Sequence, residues 1–590
     1  MYGYHAPLRE MRFVLREVAG LDDVSRLPGY EDSADLSEPI LEEAATFASE
    51  ILDPLNQRGD REGCSWNGGT VTMPSGFKDA YARFAAAGWI GLPVAPEYGG
   101  QGLPALLLAP TLEMWNAANI GFANGPLLNQ GAIEAIEIAG SNDQKQRFIP
   151  RLVDGTWMGT MCLTEPQAGS DLAQVRTRAV PDRDHYRLSG QKIFITFGEH
   201  DMAENIIHLV LARLPDAPEG TKGISLFIVP KFLIGEDDSL GPRNDVVCAG
   251  IEHKMGLNAN PTCTMNYGER GGALAYLLGE PHQGLKYMFV MMNAARFSVG
   301  VQGMAVADRA YHSALQYAKE RVQFRRIIEH PDVRRMLMDM KSRVEAMRAL
   351  AYTTAASIDF SRRDPDPGAR ARHRSFVDLL IPIVKGWCTE SAIDIASTAM
   401  QVFGGVGYVE ETGIAQQYRD VRVSAIYEGT TGIQAADLVG RKIASDGGET
   451  AAAAIGRMRD DAGALSVAPL ARALLASIDL LEKATRFVAD QAREDIASAL
   501  ACSVPYLMLW GTVAGGWQLG RAAGAAASKA ETGDAESEFY AAKVATAKYY
   551  ASHVLSRTAA LAHEIVVGSG DVMALSEQQL DLDRKNAALT

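Results

Sequence analysis

The chain has 590 residues, of which 47% are hydrophobic and 22% are charged. A chain of this length can bury several cores and is expected to divide into domains. Its formal net charge of -15 at pH 7 argues against a nucleic-acid binder, because affinity for a phosphate backbone depends on basic surface. An anionic cofactor is compatible with this charge, since a few local arginines and backbone N–H groups are enough to bind one.

Six cysteines are scattered along the chain without any CxxC pair. This spacing is typical of neither a zinc site nor a disulfide-rich secreted module. The first residues, MYGYHAPLREMRF, place Arg9 and Glu10 ahead of any apolar run, which is not the pattern of a signal peptide. We therefore expect no metal site and a cytoplasmic protein.

Helical periodicity marks the first part of the chain and β-type patterning the second. Apolar residues recur with a 3.6-residue rhythm over residues 36–51, which predicts a helix. From residue 158 to about 280, short runs of β-branched and aromatic residues alternate with Asp, Gly and Pro clusters, as the strands of an antiparallel barrel or sandwich would. The predicted strands are 186–188, 192–196, 206–211, 224–229 and 263–267.

The helical period then returns at 288–319, 333–355, 374–400 and 432–442. A Gly-rich polar stretch at 445–449 predicts a linker. The sequence thus predicts a mostly α protein with a central β domain: an N-terminal helical domain (1–157), a middle β domain (158–283), a C-terminal four-helix bundle (284–445) and an additional helical domain (446–590). No βαβ unit opens on GxGxxG, so a dinucleotide would bind without a Rossmann fold.

Residues 496–520 contain no charged side chain and carry two glycine pairs, Gly511/Gly515 and Gly516/Gly520, at the spacing of helices that pack in bilayers. A proline, a glutamine and many Gly and Ala residues lower the hydrophobicity of this stretch. We therefore predict a buried helix in a soluble domain, and no membrane partner.

Two segments of the β domain place polar groups at strand ends. MCLTEPQAGSD, at residues 161–171, has Thr164 after an apolar strand and a turn at Gly169 and Ser170, and KIFITFG follows at residues 192–198. One interpretation is an ordinary strand and turn, with Asp171 capping the next element. The other is that hydroxyls and backbone amides at the strand end face a planar polar ring.

The segment SAIYEGTT, at residues 424–431, places Glu428 before Gly429 in surroundings too apolar for a solvated loop. Apolar surroundings disfavour an ionised carboxylate, so its pKa rises toward the range of a general base. An ordinary helix end is the alternative interpretation, and these residues alone do not decide between the two.

These three segments, in this order, resemble the acyl-CoA dehydrogenase family of flavoproteins, in which the glutamate of Y-E-G-T is the catalytic base. RVQFR at 321–325 resembles the family's R-x-x-F, and QVFGGVGY at 401–408 resembles its Q-x-F-G-G-x-G. Alone, these two would be read as a solvated helix face and a helix C-cap. The resemblance implies FAD as cofactor and dehydrogenation of an acyl-CoA thioester to a trans-2-enoyl-CoA.

The resemblance also implies a set of site residues, with Glu428 as the base. Phe194 would lie against the flavin where many relatives carry Trp. The flavin contacts implied are Met161, Leu163, Thr164, Gly169, Ser170, Phe194, Thr196, Arg321, Phe324, Gln401, Gly404, Gly405 and Thr430. The substrate contacts implied are Ser170, Arg296 and Gly429. For Arg296 a structural salt bridge is an equally good interpretation.

In the family, the matching arginine and Q-x-F-G-G segment serve the cofactor of the neighbouring subunit, so the resemblance implies a homodimer or a dimer of dimers. It also implies an electron-transferring flavoprotein as the electron acceptor. One departure is visible: many relatives carry Ser-Gln after Glu-Gly-Thr, whereas this chain has Thr431-Gly432 and loses one expected flavin contact.

The C-terminal extension and KMGLNANPTC at 254–263 resemble a larger-subunit branch of the family. That branch includes enzymes acting on 3-methylmercaptopropionyl-CoA, in dimethylsulfoniopropionate breakdown, and on straight-chain fatty acyl-CoAs. The two ends of the chain favour the short thioether substrate, whose product would be methylthioacryloyl-CoA. A straight-chain dehydrogenase of β-oxidation, an acyl-CoA oxidase and a non-catalytic acyl-CoA binding scaffold remain open, although a scaffold would not need Glu428.

Overall fold

The computed structural model describes residues 2–531 and 536–581. The N-terminal part is helical, as its periodicity predicts, and the helix predicted at 36–51 is formed by α3 and a π-helical continuation, Ala48–Leu52. Its elements are α1 (Leu8–Phe13), α2 (Leu21–Val24), α3 (Ser33–Phe47), α4 (Asp53–Glu62), the hairpin β1 (Ser65–Asn67) and β2 (Thr70–Thr72), α5 (Phe77–Ala86), α6 (Ala105–Ala139) and α7 (Asn142–Val153).

Helix α6 is buried along most of its length and holds the parts of the fold together. Its backbone leaves helical geometry at Asn119, where φ is -158° and ψ is 88°. The Asn119 amide donates to the carbonyl of Leu52 (3.2 Å), and its side-chain oxygen accepts the N–H of Phe122 (3.0 Å). A polar side chain thus replaces helical hydrogen bonds at the kink, as buried backbone groups require.

The middle part is a β domain. Its strands are β3 (Trp157–Cys162), β4 (Arg178–Asp182), β5 (His185–Thr196), β6 (Asn205–Arg213), β7 (Ile224–Pro230), β8 (Phe232–Ile234), β9 (Leu240–Arg243), β10 (Val246–Ile251), β11 (Thr262–Tyr267) and β12 (Ala273–Leu278). The strand order of the main sheet is β10-β11-β5-β12-β7-β6-β3, with β4 paired to β5 and β6. The two runs predicted at 186–188 and 192–196 belong to one strand, β5.

The predicted antiparallel arrangement does not hold for β3. This strand runs parallel to β6, from Trp157 beside Asn205 to Cys162 beside Val210, and β4 also meets β6 in parallel at one position. Parallel neighbours need a long connection instead of a tight hairpin. Here β4 and β5 lie between the two strands in the chain and provide that connection.

A helical bundle follows the β domain, and each helix predicted from residue 288 onward lies within an observed one or within consecutive helical segments. The elements are α8 (Gly284–Glu320), β13 (Val322–Gln323), β14 (Arg325–Arg326), α9 (Pro331–Arg363), α10 (Pro367–Phe403), α11 (Ile414–Arg422), α12 (Thr431–Asp437) and α13 (Ala444–Asp446). The long helices α8, α9 and α10 pack on one another, and α6 packs on α8 and α9, so the N-terminal part supplies a fourth long helix.

The C-terminal part is helical again. Its helices are α14 (Glu449–Gly463), α15 (Ala468–Glu494), α16 (Ile496–Ala501), α17 (Ser503–Glu531), α18 (Ser537–Tyr549), α19 (Thr558–Val566) and α20 (Glu577–Leu580). At the predicted linker, Gly447 and Gly448 have φ of +68° and +88° and separate α13 from α14. Glycine suits both positions, because other residues adopt positive φ angles only at an energetic cost. The exact domain boundaries stay predictions.

The uncharged stretch at 496–520 forms α16 and most of α17. The prediction of a buried helix is confirmed for α17, which is buried throughout 509–520, whereas α16 is largely exposed. A Cβ on Gly511 would lie 2.1 Å from the Trp387 ring of α10, and one on Gly515 would lie 2.6 Å from the same ring. The small residues therefore let an indole approach the helix backbone. Within the residues that the structure describes, no helix is long and apolar enough to cross a membrane.

A buried ionic cluster ties both ends of the chain to the bundle. The Lys543 ammonium of α18 donates to Glu10 of α1 (2.6 Å) and to Glu345 of α9 (2.7 Å), and Lys341 also pairs with Glu345. Burial alone would raise the pKa of Glu345, but Lys543 and Lys341 lower it to about 2. The cluster is stable because each buried charge has an opposite charge in contact.

We expect Lys543→Met to lower the free energy of unfolding by about 3–5 kcal/mol, because it leaves buried carboxylates without their shared cation. Chemical denaturation followed by circular dichroism measures this. Lys548→Met, on an exposed lysine of the same helix, is the control and should change stability by less than ~0.5 kcal/mol. Equal effects of the two substitutions would contradict the structural role of the cluster.

Candidate active site

Glu428 lies in a turn between α11 and α12. Its φ of +53° is in the left-handed region, which non-glycine residues adopt at a cost, and Gly429 follows with φ of +93°. The side-chain amide of Gln434 donates to the Glu428 carbonyl (3.1 Å). The Thr430 hydroxyl accepts the N–H of Ile433 (3.2 Å) and caps α12. Glu428 thus precedes a helix start instead of ending a helix.

Two buried cations of the bundle lie beside this turn. Lys385 of α10 donates from its ammonium to the Gly429 carbonyl oxygen (2.6 Å). Arg296 of α8 donates to the Asp437 carboxylate (3.0 Å). Arg296 thus forms the salt bridge that the sequence left as the alternative, and its substrate contact stays a prediction.

The pKa values of these groups are coupled through burial and charge. Burial raises the pKa of Glu428, and the positive charges of Lys385 and Arg296 oppose that rise. Burial lowers the pKa of Lys385 to about 8, against the attraction of Glu428. A carboxylate whose pKa is raised by burial, while nearby cations favour its ionised form, has the balance that a general base needs.

A chain of polar side chains connects the Glu428 turn to α6. The hydroxyl of Tyr427 donates to Gln302 of α8, and the Gln302 amide donates to Asn124 of α6 (2.5 Å). At the next residue, a Cβ on Gly125 would lie 3.4 Å from both Met158 of β3 and Phe197. Helix α6 therefore brings the Glu428 turn close to the start of β3 and to the residue that follows β5.

Lys192, buried in β5, holds the segment after β3 in position. Its ammonium donates to the Leu163 carbonyl (2.9 Å) and to the Glu165 carboxylate (2.8 Å). The N–H of Ile193 donates to the Thr164 carbonyl (2.9 Å). The two motif segments of the β domain, predicted to act together, are thus hydrogen-bonded neighbours.

Several predicted flavin contacts lie at this strand end. Phe194 is 59% exposed and has a φ of +57°. Thr164 and Thr196 are half-buried, and neither hydroxyl hydrogen-bonds to a described residue. Free hydroxyls beside an exposed aromatic face fit a planar ring with polar edges. Ser170 and Gly169 are exposed on the same segment, and Met161 is buried beneath it.

The other predicted flavin contacts lie elsewhere on the chain. Phe403 at the end of α10 stacks on Tyr317 of α8 with ring centroids 4.2 Å apart. The exposed residues of this second group are Arg321, Phe324, Gln401, Gly404 and Gly405. Gln401 is sixteen residues beyond Lys385 on α10, or ~24 Å at the helical rise. The second group and the Glu428 turn are therefore separate on one chain.

The sequence did not single out Lys385, Asp437, Gln302, Asn124 or Lys192. For Lys385 a signal exists: it is a single charge inside the apolar run LLIPIVKGWC. Lysine is rarely buried without a partner, so its position predicts a nearby acceptor. The hydrogen-bond partners of Gln302 and Asn124 depend on how distant helices pack, and a local sequence pattern does not show this.

Comparison with known proteins decides the family. Its models match almost end to end: the acyl-CoA dehydrogenase N-terminal domain at 36–156, the middle domain at 160–268, the C-terminal domain at 282–443 and an acetyl-CoA dehydrogenase C-terminal-like domain at 448–576. The chain belongs to the acyl-CoA dehydrogenase family. It is an oxidoreductase that dehydrogenates acyl-CoA with FAD, as the sequence predicts.

Two curated relatives extend over nearly the whole chain. The 3-methylmercaptopropionyl-CoA dehydrogenase of Ruegeria pomeroyi is 46% identical, over 96% of this chain and 98% of that protein. A butyryl-CoA dehydrogenase of Syntrophomonas wolfei is 34% identical, over 94% and 95%.

Two solved structures share the fold. An acyl-CoA dehydrogenase of Bacillus anthracis complexed with FAD has a TM-score of 0.74 at 22% identity, over 98% of this chain and 95% of that chain. A chain from the structure of the electron transferring flavoprotein of Acidaminococcus fermentans has a TM-score of 0.57 at 27% identity, over 68% of this chain and 95% of that chain. The predicted fold class, mostly α with a central β domain, is confirmed.

The turn geometry generates a test at Gly429. A Cβ there would lie 2.6 Å from the Gln434 amide nitrogen, and φ is unfavourable for alanine. We expect Gly429→Ala to fold but to displace the turn and slow flavin reduction by acyl-CoA by about 10²-fold, because small misplacements of reacting groups are costly. Stopped-flow absorbance measures the rate.

Gly432→Ala is the matched control, three residues further on. The nearest atom to a Cβ at Gly432, apart from its own chain neighbours and helix backbone, is 3.8 Å away. Alanine also favours the helix. This variant should therefore reduce flavin at the wild-type rate, and similar rates in both variants would show that the turn does not need its left-handed geometry.

Proposed function

We propose that Glu428 is the base that removes the α-proton of a short acyl-CoA, and that 3-methylmercaptopropionyl-CoA is the substrate. One observation carries the assignment of the base: Glu428 is held in a left-handed turn, its pKa is raised by burial, and two cations keep its ionised form accessible. The product would be methylthioacryloyl-CoA, a trans-2-enoyl-CoA.

The α-proton of a thioester is too weakly acidic for a carboxylate unless the developing enolate oxygen is stabilised. The backbone N–H of Glu428 donates to no acceptor among the described residues, so it is free to donate to the thioester oxygen. A preorganised donor of this kind contributes about 10²–10³ in rate. FAD, when bound, supplies the acceptor for the hydride that leaves the β-carbon.

The proposed FAD site has two parts. Thr164, Thr196 and the exposed face of Phe194 would hold the ring, with Met161, Leu163, Gly169, Ser170 and Thr430 nearby. Thr430 already uses its hydroxyl to cap α12, and Gly432 stands where relatives carry a Gln. We therefore expect the ring to be held mainly from the β domain.

The choice of substrate rests on whole-chain similarity. The chain is 46% identical to a relative named for 3-methylmercaptopropionyl-CoA and 34% identical to one named for butyryl-CoA. Both matches include the C-terminal helices, so the larger subunit itself does not distinguish the two substrates. For the electron acceptor we propose an electron-transferring flavoprotein, as the family resemblance implies.

We further propose that the protein is a homodimer or a dimer of dimers. Arg321 is exposed and forms no ion pair with any described residue, and Phe324 beside it is fully exposed. A planar guanidinium is well suited to a pyrophosphate. Because this group is remote from the Glu428 turn of its own chain, the cofactor that it would bind is the one in a partner subunit.

Glu428→Gln tests the base. The amide keeps the size of the side chain but cannot accept the proton, so the variant should bind FAD and acyl-CoA and reduce its flavin at least about 10²–10⁴-fold more slowly. Stopped-flow reduction with 3-methylmercaptopropionyl-CoA and with butyryl-CoA measures this and the substrate preference together.

The control for this experiment is Glu411→Gln, at an exposed glutamate in the 3-10 turn before α11; this variant should reduce its flavin at the wild-type rate. Reduction of Glu428→Gln at near wild-type rate would place the base elsewhere. A wild-type preference for butyryl-CoA would leave the base intact and overturn the thioether substrate.

Arg321→Gln tests the shared cofactor site. We expect weaker FAD retention, by a factor of about ten or more, because a charge-assisted contact to pyrophosphate is lost. Equilibrium dialysis gives the FAD affinity, and sedimentation gives the mass of the flavin-loaded species. Arg326→Gln, five residues further on at an arginine that pairs with Glu329, is the control. A flavin-loaded monomer would contradict the proposal.

A further inference from the structure

Lys385 is fully buried near the middle of α10, a position where an ammonium is costly. Its hydrogen bond goes to the Gly429 carbonyl at 2.6 Å. It does not pair directly with Glu428, since no salt bridge within 4.0 Å joins them. The lysine therefore contacts the backbone of the turn, one residue beyond the proposed base.

The charges around Lys385 come from each element packed beside it. Glu428 in the turn and Glu390 on its own helix are acidic, and Arg296 of α8 is basic. Arg296 is already paired with Asp437, which also accepts from Arg441. Glu390 accepts a hydrogen bond from Thr431 (2.5 Å). Lys385 is thus the cation near Glu428 that has no carboxylate in contact.

We propose that Lys385 is a positioning residue for the dehydrogenation: its hydrogen bond to the Gly429 carbonyl fixes the left-handed turn at Glu428 and Gly429, and its positive charge beside that turn favours the ionised form of the Glu428 carboxylate. This inference rests on the proposed role of Glu428 as the base. It assigns two separable effects to one side chain, one from the hydrogen bond and one from the charge.

The two effects differ in how the rate of flavin reduction depends on pH. Burial raises the pKa of Glu428 and Lys385 opposes it, so removing the cation raises that pKa further. A base with a higher pKa is protonated, and inactive, over a wider range of low pH. The rate is then recovered at higher pH. Displacement of the turn, in contrast, slows proton abstraction at every pH.

Lys385→Met and Lys385→Gln separate these effects. Methionine removes the charge and the donor, whereas glutamine removes the charge and keeps an amide donor for the Gly429 carbonyl. In both variants we expect the lower pH limit of flavin reduction to move up by about one unit, as for loss of one nearby cation. On the high-pH plateau, Lys385→Met should be slower than Lys385→Gln by about tenfold or more.

A second readout does not depend on turnover. Infrared difference spectra of the FAD-loaded protein, recorded against pH, contain the carboxyl band of Glu428, identified by its absence in Glu428→Gln. That band should titrate about one unit higher in both Lys385 variants. An unchanged titration would overturn the proposal, even if the variants are slow. If Lys385→Met does not fold, the titration of Lys385→Gln decides alone.

The controls distinguish the proposed role of Lys385 from the proposed role of Glu428 as the base. Lys543→Met removes a buried lysine remote from the turn, and it should leave the Glu428 titration unchanged. Adding Lys385→Met to Glu428→Gln should slow flavin reduction by a smaller factor than Lys385→Met does alone, because the part of its effect that acts through the carboxylate is already lost. An equal slowing in the two backgrounds would overturn the proposal. Wild-type reduction in Glu428→Gln alone would instead overturn the assignment of the base, whatever the infrared titration shows.

Discussion

A carboxylate in apolar surroundings loses its charge unless something nearby compensates, and this constraint shapes the site around Glu428. The compensation is indirect. Lys385 and Arg296 lie close enough to influence the pKa of Glu428, but one is bound to a backbone carbonyl and the other to Asp437. A direct ion pair would occupy the oxygens that, in the proposed role of Glu428, would accept the proton. Cations held by other partners leave those oxygens free.

In the β domain, too, a buried lysine lies beside a buried carboxylate. Glu165 follows β3 and is buried, and its carboxylate accepts from Lys192 and from Thr177. Burial raises its pKa but Lys192 and these donors bring it below its usual range. The pair fixes the backbone that presents Thr164. In both places a buried lysine stabilises a backbone conformation, and exposed polar atoms are left for a ligand.

Much of this could be predicted from the sequence. The long helices have clear periodicity, and strands such as β6 and β7 are β-branched runs bounded by turn residues. The parallel pairing of β3 with β6 could not be predicted, because the pairing of distant strands depends on the whole sheet. Glu428 could be predicted as the base because its motif is local, and that assignment stays a proposal. Lys385 is 44 residues from Gly429, and Arg296 is 141 residues from Asp437, so their partners appear only in the folded chain.

The cluster at Lys543 has a consequence for how the protein is made. Glu345 lies 198 residues before Lys543 in the chain. During synthesis the bundle helices therefore emerge from the ribosome well before this cation does. Before Lys543 is synthesised, Lys341 is the one lysine of this cluster in the chain, and the Lys543 ammonium that donates to Glu10 is absent. The contacts of Lys543 with Glu10 and Glu345 therefore form only after helix α18 has been synthesised.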